Sequence, residues 1–270
     1  MEYIADLHIH GKYSRGTSIN LDFKNLEKYA KIKGIDILGT GDFSQPKWLE
    51  MIKKEMKEED GIMKTKTGYP FVLQTEYSFI YSQDGKGRKV HLIVLAPGIE
   101  TVEQINSFLI NKKKFNLEYD GRPILGKYPC YEFAEDMMNI NKNIEIIPAH
   151  IWTPWFSILG KESGFDRIDE CFKEQTKNIH ALETGLSSDP EMNWRLSQLD
   201  KFTLVSNSDS HSYWPWRIGR EANVFELKNL SYENIISAIR TKKGFKYTIE
   251  VDPAYGKYHE DGHRKCGIRM

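Results

Sequence analysis

The sequence predicts an α/β protein whose strands run parallel and close into a barrel. Short apolar runs rich in β-branched residues alternate with amphipathic helical stretches through most of the chain, the pattern of repeated strand–helix units. At 270 residues the chain suits one α/β barrel of roughly 250 residues, and a barrel fits that length better than an open sheet. Histidines and carboxylates recur just after the apolar runs, and a barrel gathers those strand ends on one face.

The first strand is expected at Tyr3–Leu7, ahead of a helix at Phe23–Lys33. In that helix Phe23, Leu26, Tyr29, Ala30 and Ile32 form one stripe at the 3.6-residue period. A second strand, Ile35–Leu38, precedes the helical stretch Trp48–Lys57. Gly61–Gly68 is short, polar and rich in Lys and Thr, which predicts a loop. Strands at Phe71–Ile80 and Val90–Ala96 flank Asp84-Gly85-Lys86-Gly87, which has the chemistry of a hairpin connection. Helices at Val102–Lys113 and Tyr131–Asn139 lead to a strand at Ile144–Pro148. Further strands at Ile179–Leu182, Phe202–Val205 and Ala222–Phe225 are interleaved with helices at Arg167–Gln175, Asn193–Leu199 and Tyr232–Thr241. From Asp252 to Met270 the chain is polar, with no apolar period, as expected of a tail.

Lys plus Arg equals Asp plus Glu, 38 each, which argues against binding nucleic acid through bulk charge alone. No stretch approaches the ~20 apolar residues of a membrane helix, so no membrane association is expected. The acidic N-terminal segment lacks the leader of a secreted protein, and a cytoplasmic protein is expected. Cys130, Cys171 and Cys266 are far apart and odd in number, which speaks against a disulfide framework.

The chemistry lies in where the ligand-type residues fall. His8 and His10 follow the first strand two residues apart, so both leave one face of an extended segment. Asp42 follows the second strand, Glu76 lies in the third, and His91 lies in the fourth. His150 follows the fifth, and Asp209 with His211 follows Phe202–Val205. A single strand-end histidine is ordinarily structural. Two pairs at period two, joined by further ligand types at other strand ends, point instead to a metal centre. Imidazole plus carboxylate suits zinc, with manganese, magnesium or iron as alternatives, and this many donors can hold two or three ions.

Asp6-Leu7-His8-Ile9-His10, followed by Tyr13-Ser14, resembles the first motif of the PHP (polymerase and histidinol phosphatase) superfamily. Gly39-Thr40-Gly41-Asp42 stands where that superfamily usually has Thr-Asp-His, and Glu76, His91, His150 and Ser208-Asp209-Ser210-His211 match its later motifs in order. Leu38–Asp42 with Pro46-x-Trp48-Leu49, the run Ile147–Phe156, Glu183–Pro190, Trp216–Asn223 and Glu250–Pro253 are similar to the endonuclease Q family in particular. The resemblance implies a distorted (β/α)7 barrel over residues 1–250 and a metal-dependent phosphodiesterase. Residues 251–270 would be a polar tail, the stub of a C-terminal zinc-binding region.

The activity implied is cleavage of DNA on the 5′ side of deaminated bases (uracil, hypoxanthine, xanthine) or abasic sites. The alternative is a phosphoesterase acting on a small phosphorylated metabolite or nucleotide. By the same resemblance His8, His10, Glu76 and Asp209 would hold one ion, and Glu76 would bridge to a second held by His91 and His150. Asp42 and His211 would serve a third. Glu76, Asp209 and His211 are the expected catalytic residues, damaged DNA is the expected partner, and a replication or repair clamp protein is a further candidate.

Trp152 and Trp155 follow His150, and Trp214 and Trp216 follow His211, so their rings are placed to stack on or wedge beside a base. Lys12, Arg15, Arg217 and Arg220 adjoin the ligand motifs and could meet DNA phosphates. Glu183 is placed to orient a ligand from behind. His180 is expected to be structural, Lys112–Lys114 a solvated helix end, and His259, His263 and Cys266 an incomplete zinc set.

Overall fold

The computed structural model describes residues 1–112 and 120–256. The strands are β1 (Glu2–Asp6), β2 (Ile37–Gly39), β3 (Met56–Glu59), β4 (Ile62–Thr65), β5 (Pro70–Gln83) and β6 (Lys86–Ala96). They continue with β7 (Ile124–Gly126), β8 (Glu145–Pro148), β9 (Ala181–Glu183), β10 (Thr203–Val205), β11 (Ala222–Glu226) and β12 (Phe245–Ile249). The α-helices are α1 (Phe23–Lys33), α2 (Pro46–Glu55), α3 (Ile99–Asn111), α4 (Cys130–Ile140), α5 (Ile168–Phe172), α6 (Pro190–Asn193) and α7 (Tyr232–Thr241).

Helices α1 and α7 cover the residues their periodicity predicts. Asp22 caps α1 by accepting from Asn25 N, and Gly34 closes it in the left-handed region. Phe23, Leu26 and Ala30 are buried, but Ile32 is exposed, so the predicted stripe is one residue too wide. The Arg167–Gln175 and Asn193–Leu199 predictions break into shorter pieces: α5 passes into a 3₁₀ turn at Lys173–Asn178, and α6 is followed by another at Ser197–Leu199. His259, His263, Cys266 and the end of the Lys112–Lys114 run lie outside the described residues.

The sheet is mixed, which corrects the all-parallel expectation. Strands β1 and β2, β2 and β5, β5 and β7, and β9 and β10 pair parallel. The long pair β5–β6 is antiparallel, as are β6–β8, β1–β11 and β11–β12. The reason for β5–β6 is local: Asp84 and Gly85 adopt φ of 52° and 71°, a tight turn that can only return the chain antiparallel. Asp60 and Gly61, at 53° and 73°, do the same between β3 and β4. The segment Gly61–Gly68 is therefore half strand rather than loop, because Ile62 and Met63 bury their side chains against the sheet. Strands β3, β7 and β12 are also additions to the predicted set, β3 taking Met56 and Lys57 from the end of the helix expected at Trp48–Lys57.

The pairing path runs β12-β11-β1-β2-β5-β4-β3, with β6, β7 and β8 branching from β5 and with β9–β10 as a separate pair. No closed sheet is formed among the described residues. Apolar residues form two buried clusters, one including Trp48, Phe71, Tyr77 and Phe133, the other including Leu7, Val72, Ile93 and Ile235. No helix among the described residues is long and apolar enough to cross a membrane.

Candidate metal centre

Three of the ligand-type residues stand at the first turn beyond a strand with backbone in the left-handed region: Asp42 at φ 34°, His150 at 29° and Asp209 at 46°. Such conformations cost non-glycine residues on the order of 1–3 kcal/mol and persist where packing over-determines them. Gly185 packs against one of these turns, and a Cβ there would lie 2.6 Å from His150 Cβ. The turns hold side chains from distant parts of the chain against each other.

Two groups of donors result. His8, His10 and Asp209 form one, and Glu76, His91 and His150 form the other. Glu76 touches both: Oε1 lies 2.7 Å from His91 Nδ1, 3.3 Å from His150 Nε2 and 3.8 Å from His8 Nε2, while Oε2 lies 3.4 Å from His10 Nε2. Asp209 Oδ1 lies 3.0 Å from His10 Nε2 and 3.7 Å from His8 Nε2. His8, His10 and Glu76 are fully buried.

Each imidazole is held from behind by an oxygen, so that its other nitrogen faces the centre. His8 Nδ1 meets Glu183 at 3.0 Å, His10 Nδ1 meets Asp42 Oδ1 at 3.1 Å, His91 Nε2 meets Ser78 Oγ at 2.8 Å, and His150 Nδ1 meets Thr153 Oγ1 at 3.1 Å. Metal-ligating histidines are oriented in this way, which fixes the tautomer. Glu183 also accepts from His150 N at 2.8 Å and from Asn207 Nδ2 at 3.0 Å, so it serves both groups from behind, as its position after a strand predicts.

The electrostatics match. Burial pushes His8 and His10 toward the neutral form, but Glu183 and Asp42 outweigh it and raise them to about 9 and about 10. His91 goes the other way, to about 4, because burial exceeds the pull of Glu76. Burial also opposes charge on Glu76 and Asp209, yet the surrounding imidazoles and Arg122 hold Glu76 well below the usual carboxylate range, and His10 and His8 do the same for Asp209. His8 Nε2 is buried without a hydrogen-bond partner, facing Glu76 Oε1 at 3.8 Å and Asp209 Oδ1 at 3.7 Å. Buried polar atoms are nearly always satisfied, so an orphaned imidazole nitrogen facing two carboxylates fits a divalent cation.

Asp42 and His211 stand outside both groups. Asp42 Oδ1 faces His10 Nδ1, and Oδ2 accepts from Gly11 N at 2.6 Å and Ser14 Oγ at 2.5 Å. His211 sits half-exposed at the rim, its ring 4.3 Å from that of His10 and its Nδ1 3.1 Å from the carbonyl of Asp209. His180 pairs with Glu145 at 3.0 Å, a structural role as expected.

The expected DNA contacts separate into free and committed groups. Trp214 and Trp216 are exposed and stacked at 4.9 Å and 8°, and Trp214 continues onto Tyr213 and Tyr29. Trp155 is exposed under Lys89, whereas Trp152 is half-buried and donates to Asn193 Oδ1 at 2.8 Å. Lys12 and Arg217 are exposed, Arg15 pairs with Asp120, and Arg220 donates twice to Ser208 O. Sequence reasoning missed Ser78 and Arg122. Arg122 Nη1 lies 3.2 Å from Glu76 Oε2, yet it is far from any ligand motif in the chain, so no local signal marks it.

No family model matches the chain. A protein of Bacillus subtilis, YqxK, is 28% identical over 97% of this chain and 69% of its own. The crystal structure of the lesion-specific endonuclease Q of Pyrococcus furiosus superposes over 100% of this chain with a TM-score of 0.85 at 32% identity. Endonuclease Q in complex with a 27-mer duplex substrate, with an abasic lesion at the active site, superposes with the same TM-score at 34% identity. This chain spans 64% and 65% of those two proteins. The whole of this chain superposes on part of the endonuclease Q fold.

Proposed function

We propose that the protein is a metal-dependent endonuclease that hydrolyses DNA immediately 5′ of a deaminated base (uracil, hypoxanthine or xanthine) or an abasic site. The observation that carries this reading is the pair of donor groups that Glu76 touches, in a chain whose whole length superposes on 64% of endonuclease Q. Residues 1–250 would be the catalytic unit and residues 251–270 a polar tail. Free, buried Cys130 and Cys171 suit a reducing, cytoplasmic setting.

Two ions are proposed, zinc or alternatively manganese, magnesium or iron: one on His8, His10 and Asp209, the other on His91 and His150, with Glu76 between them. When bound, they would supply a hydroxide near neutral pH and neutralise charge on the phosphate. The chain's own residues do the rest. Glu183, Asp42, Ser78 and Thr153 hold the imidazoles in their facing tautomers. With Nδ1 donating to the Asp209 carbonyl, His211 presents Nε2 as a proton acceptor at the rim. Burial keeps it below its ordinary value, and a neutral imidazole at that place can pass a proton. Water adds at phosphorus, the P–O3′ bond breaks, and the leaving oxygen takes a proton to give 3′-hydroxyl and 5′-phosphate ends.

A buried centre cannot reach a phosphate in straight duplex, so the damaged nucleotide must leave the stack. Extrusion costs a few kcal/mol, least where pairing is already weak. The stacked Trp214–Trp216 pair supports this step as a surface for an unpaired base, and Trp155, Lys12 and Arg217 are free to meet the strand.

We also propose that β1, β2, β5, β6, β8, β9 and β10 form the distorted (β/α)7 barrel around this centre. Ile151 N to Glu183 O at 3.0 Å supports the seam after β8, and Leu7 N to Asn207 Oδ1 at 2.7 Å with Ser208 N to Asp6 Oδ1 at 3.0 Å supports the seam between β10 and β1.

Labelled duplexes carrying uracil, hypoxanthine or an abasic site, incubated at low salt with manganese, magnesium or zinc, test the reading. A nick 5′ of the lesion is expected. Equal cutting of a lesion-free duplex would overturn it, and hydrolysis of a nucleotide monophosphate with no duplex cut would put the small-molecule phosphoesterase in its place.

A further inference from the structure

We infer that Arg122 is the group that grips the phosphate at the centre, an inference that rests on the phosphoesterase reading above. The segment bearing it is laid directly on the site. Gly121 N donates to Tyr13 O at 3.2 Å, Arg122 N to Asp120 Oδ1 at 3.2 Å, and Ser78 N to Pro123 O at 3.0 Å. A Cβ on Gly121 would collide with Ser14 Oγ and Asp42 Oδ2, so only glycine lets this backbone lie against the layer that orients His10. The next side chain is thereby aimed over Glu76.

Arg122 reaches Glu76 Oε2 with Nη1 at 3.2 Å, and its side chain is 27% exposed, so it spans from the rim to the carboxylate shared by both donor groups. A guanidinium carries five N–H donors. Apart from that one bond, no side-chain hydrogen bond of Arg122 is made among the described residues. The unused edge of a planar fork matches two oxygens of a phosphate. A phosphate lying across the two donor groups would be within reach of that edge, with Glu76 fixing the guanidinium plane. The other arginines beside the ligand motifs are placed differently: Arg220 is turned back onto Ser208 O, Arg15 pairs with Asp120, and Arg217 is exposed.

A guanidinium that only balanced the charge of Glu76 would affect the metals rather than the phosphate, and the two roles separate by measurement. Calorimetry of the manganese-loaded protein with inorganic phosphate reads the site without any duplex, so it stands even if the DNA reading fails. Arg122→Gln should weaken phosphate binding at least tenfold while metal content and melting temperature stay at wild-type values. Arg122→Lys, a point charge without the fork, should fall between the two and provides a folded variant if the glutamine protein is unstable. On a cleavable duplex the loss should appear in kcat/KM. Phosphate binding unchanged in both variants would overturn the inference, as would loss of bound metal with phosphate affinity falling only in proportion.

Discussion

Glu76 and Glu183 do different work at neighbouring positions. Glu76 lies between the donor groups, so Glu76→Gln, which keeps shape and removes charge, should reduce cleavage below a tenth of the wild-type rate, a barrier change above ~1.4 kcal/mol, with circular dichroism unchanged. A rate within tenfold would show that Glu76 does not join the groups. Glu183 stands behind His8 and His150, and Glu183→Gln should weaken metal affinity roughly 10–100-fold without removing a donor, as metal titration would show. Away from the centre, Ser206 Oγ meets Glu221 Oε2 at 2.8 Å and Glu250 Oε2 at 3.0 Å. Burial first and mutual repulsion second raise Glu221 to about 8, and burial raises Glu250 to about 7, with Glu183 and Asp189 adding to the negative surroundings. Because the folded values lie above the unfolded ones, the folded state binds more protons, and this contribution is present below about pH 4.5 and lost as pH rises through 7 to 8. The loss approaches ~1.4 kcal/mol per pH unit for each group. Glu221→Gln should therefore have a higher melting temperature than wild type at pH 9 and lose that advantage at pH 5. At this scale the donor types of the two groups were legible because they sit in strand-end motifs. Arg122 was not, since a loop from elsewhere delivers it, and Asp42, expected to serve a third ion, has Oδ1 on His10 Nδ1 at 3.1 Å.

Trp48 on α2 connects element packing to the site. It is fully buried, donates from Nε1 to the carbonyls of Thr40 and Gly41, and leaves Gly11 no room for a Cβ. It thus props the two turns that carry His10 and Asp42. Trp48→Ala should cost about 3–5 kcal/mol in denaturant unfolding, and loosen metal binding as well. The stacked loop after β10 makes the opposite prediction. Trp214→Ala with Trp216→Ala should weaken binding of an abasic duplex by ~1–3 kcal/mol per stacked base while leaving metal content alone, and unchanged anisotropy titrations would remove the stacking role. Periodicity made α1 and α7 legible to the residue. Strand direction was not legible, because alternation of apolar runs does not encode it. Only the Asp84-Gly85 turn announced the antiparallel β5–β6 pair, and the polar composition of Gly61–Gly68 concealed β4.

Across the whole molecule, residues from His8 to Asp209 converge on one centre through a mixed sheet, while the net charge is zero. Duplex affinity must then rest on local contacts and should fall steeply with salt, log K against log[salt] having a slope near −0.9 per phosphate contacted. The measurement closest to the heart of the matter is the number of metal ions bound per chain, by elemental analysis of wild type, His8→Ala and Glu76→Gln. Two ions in wild type are expected, with His8→Ala losing one and Glu76→Gln failing to hold the pair. Fewer than two in wild type, or both ions retained when Glu76 is neutralised, would contradict a shared two-metal centre.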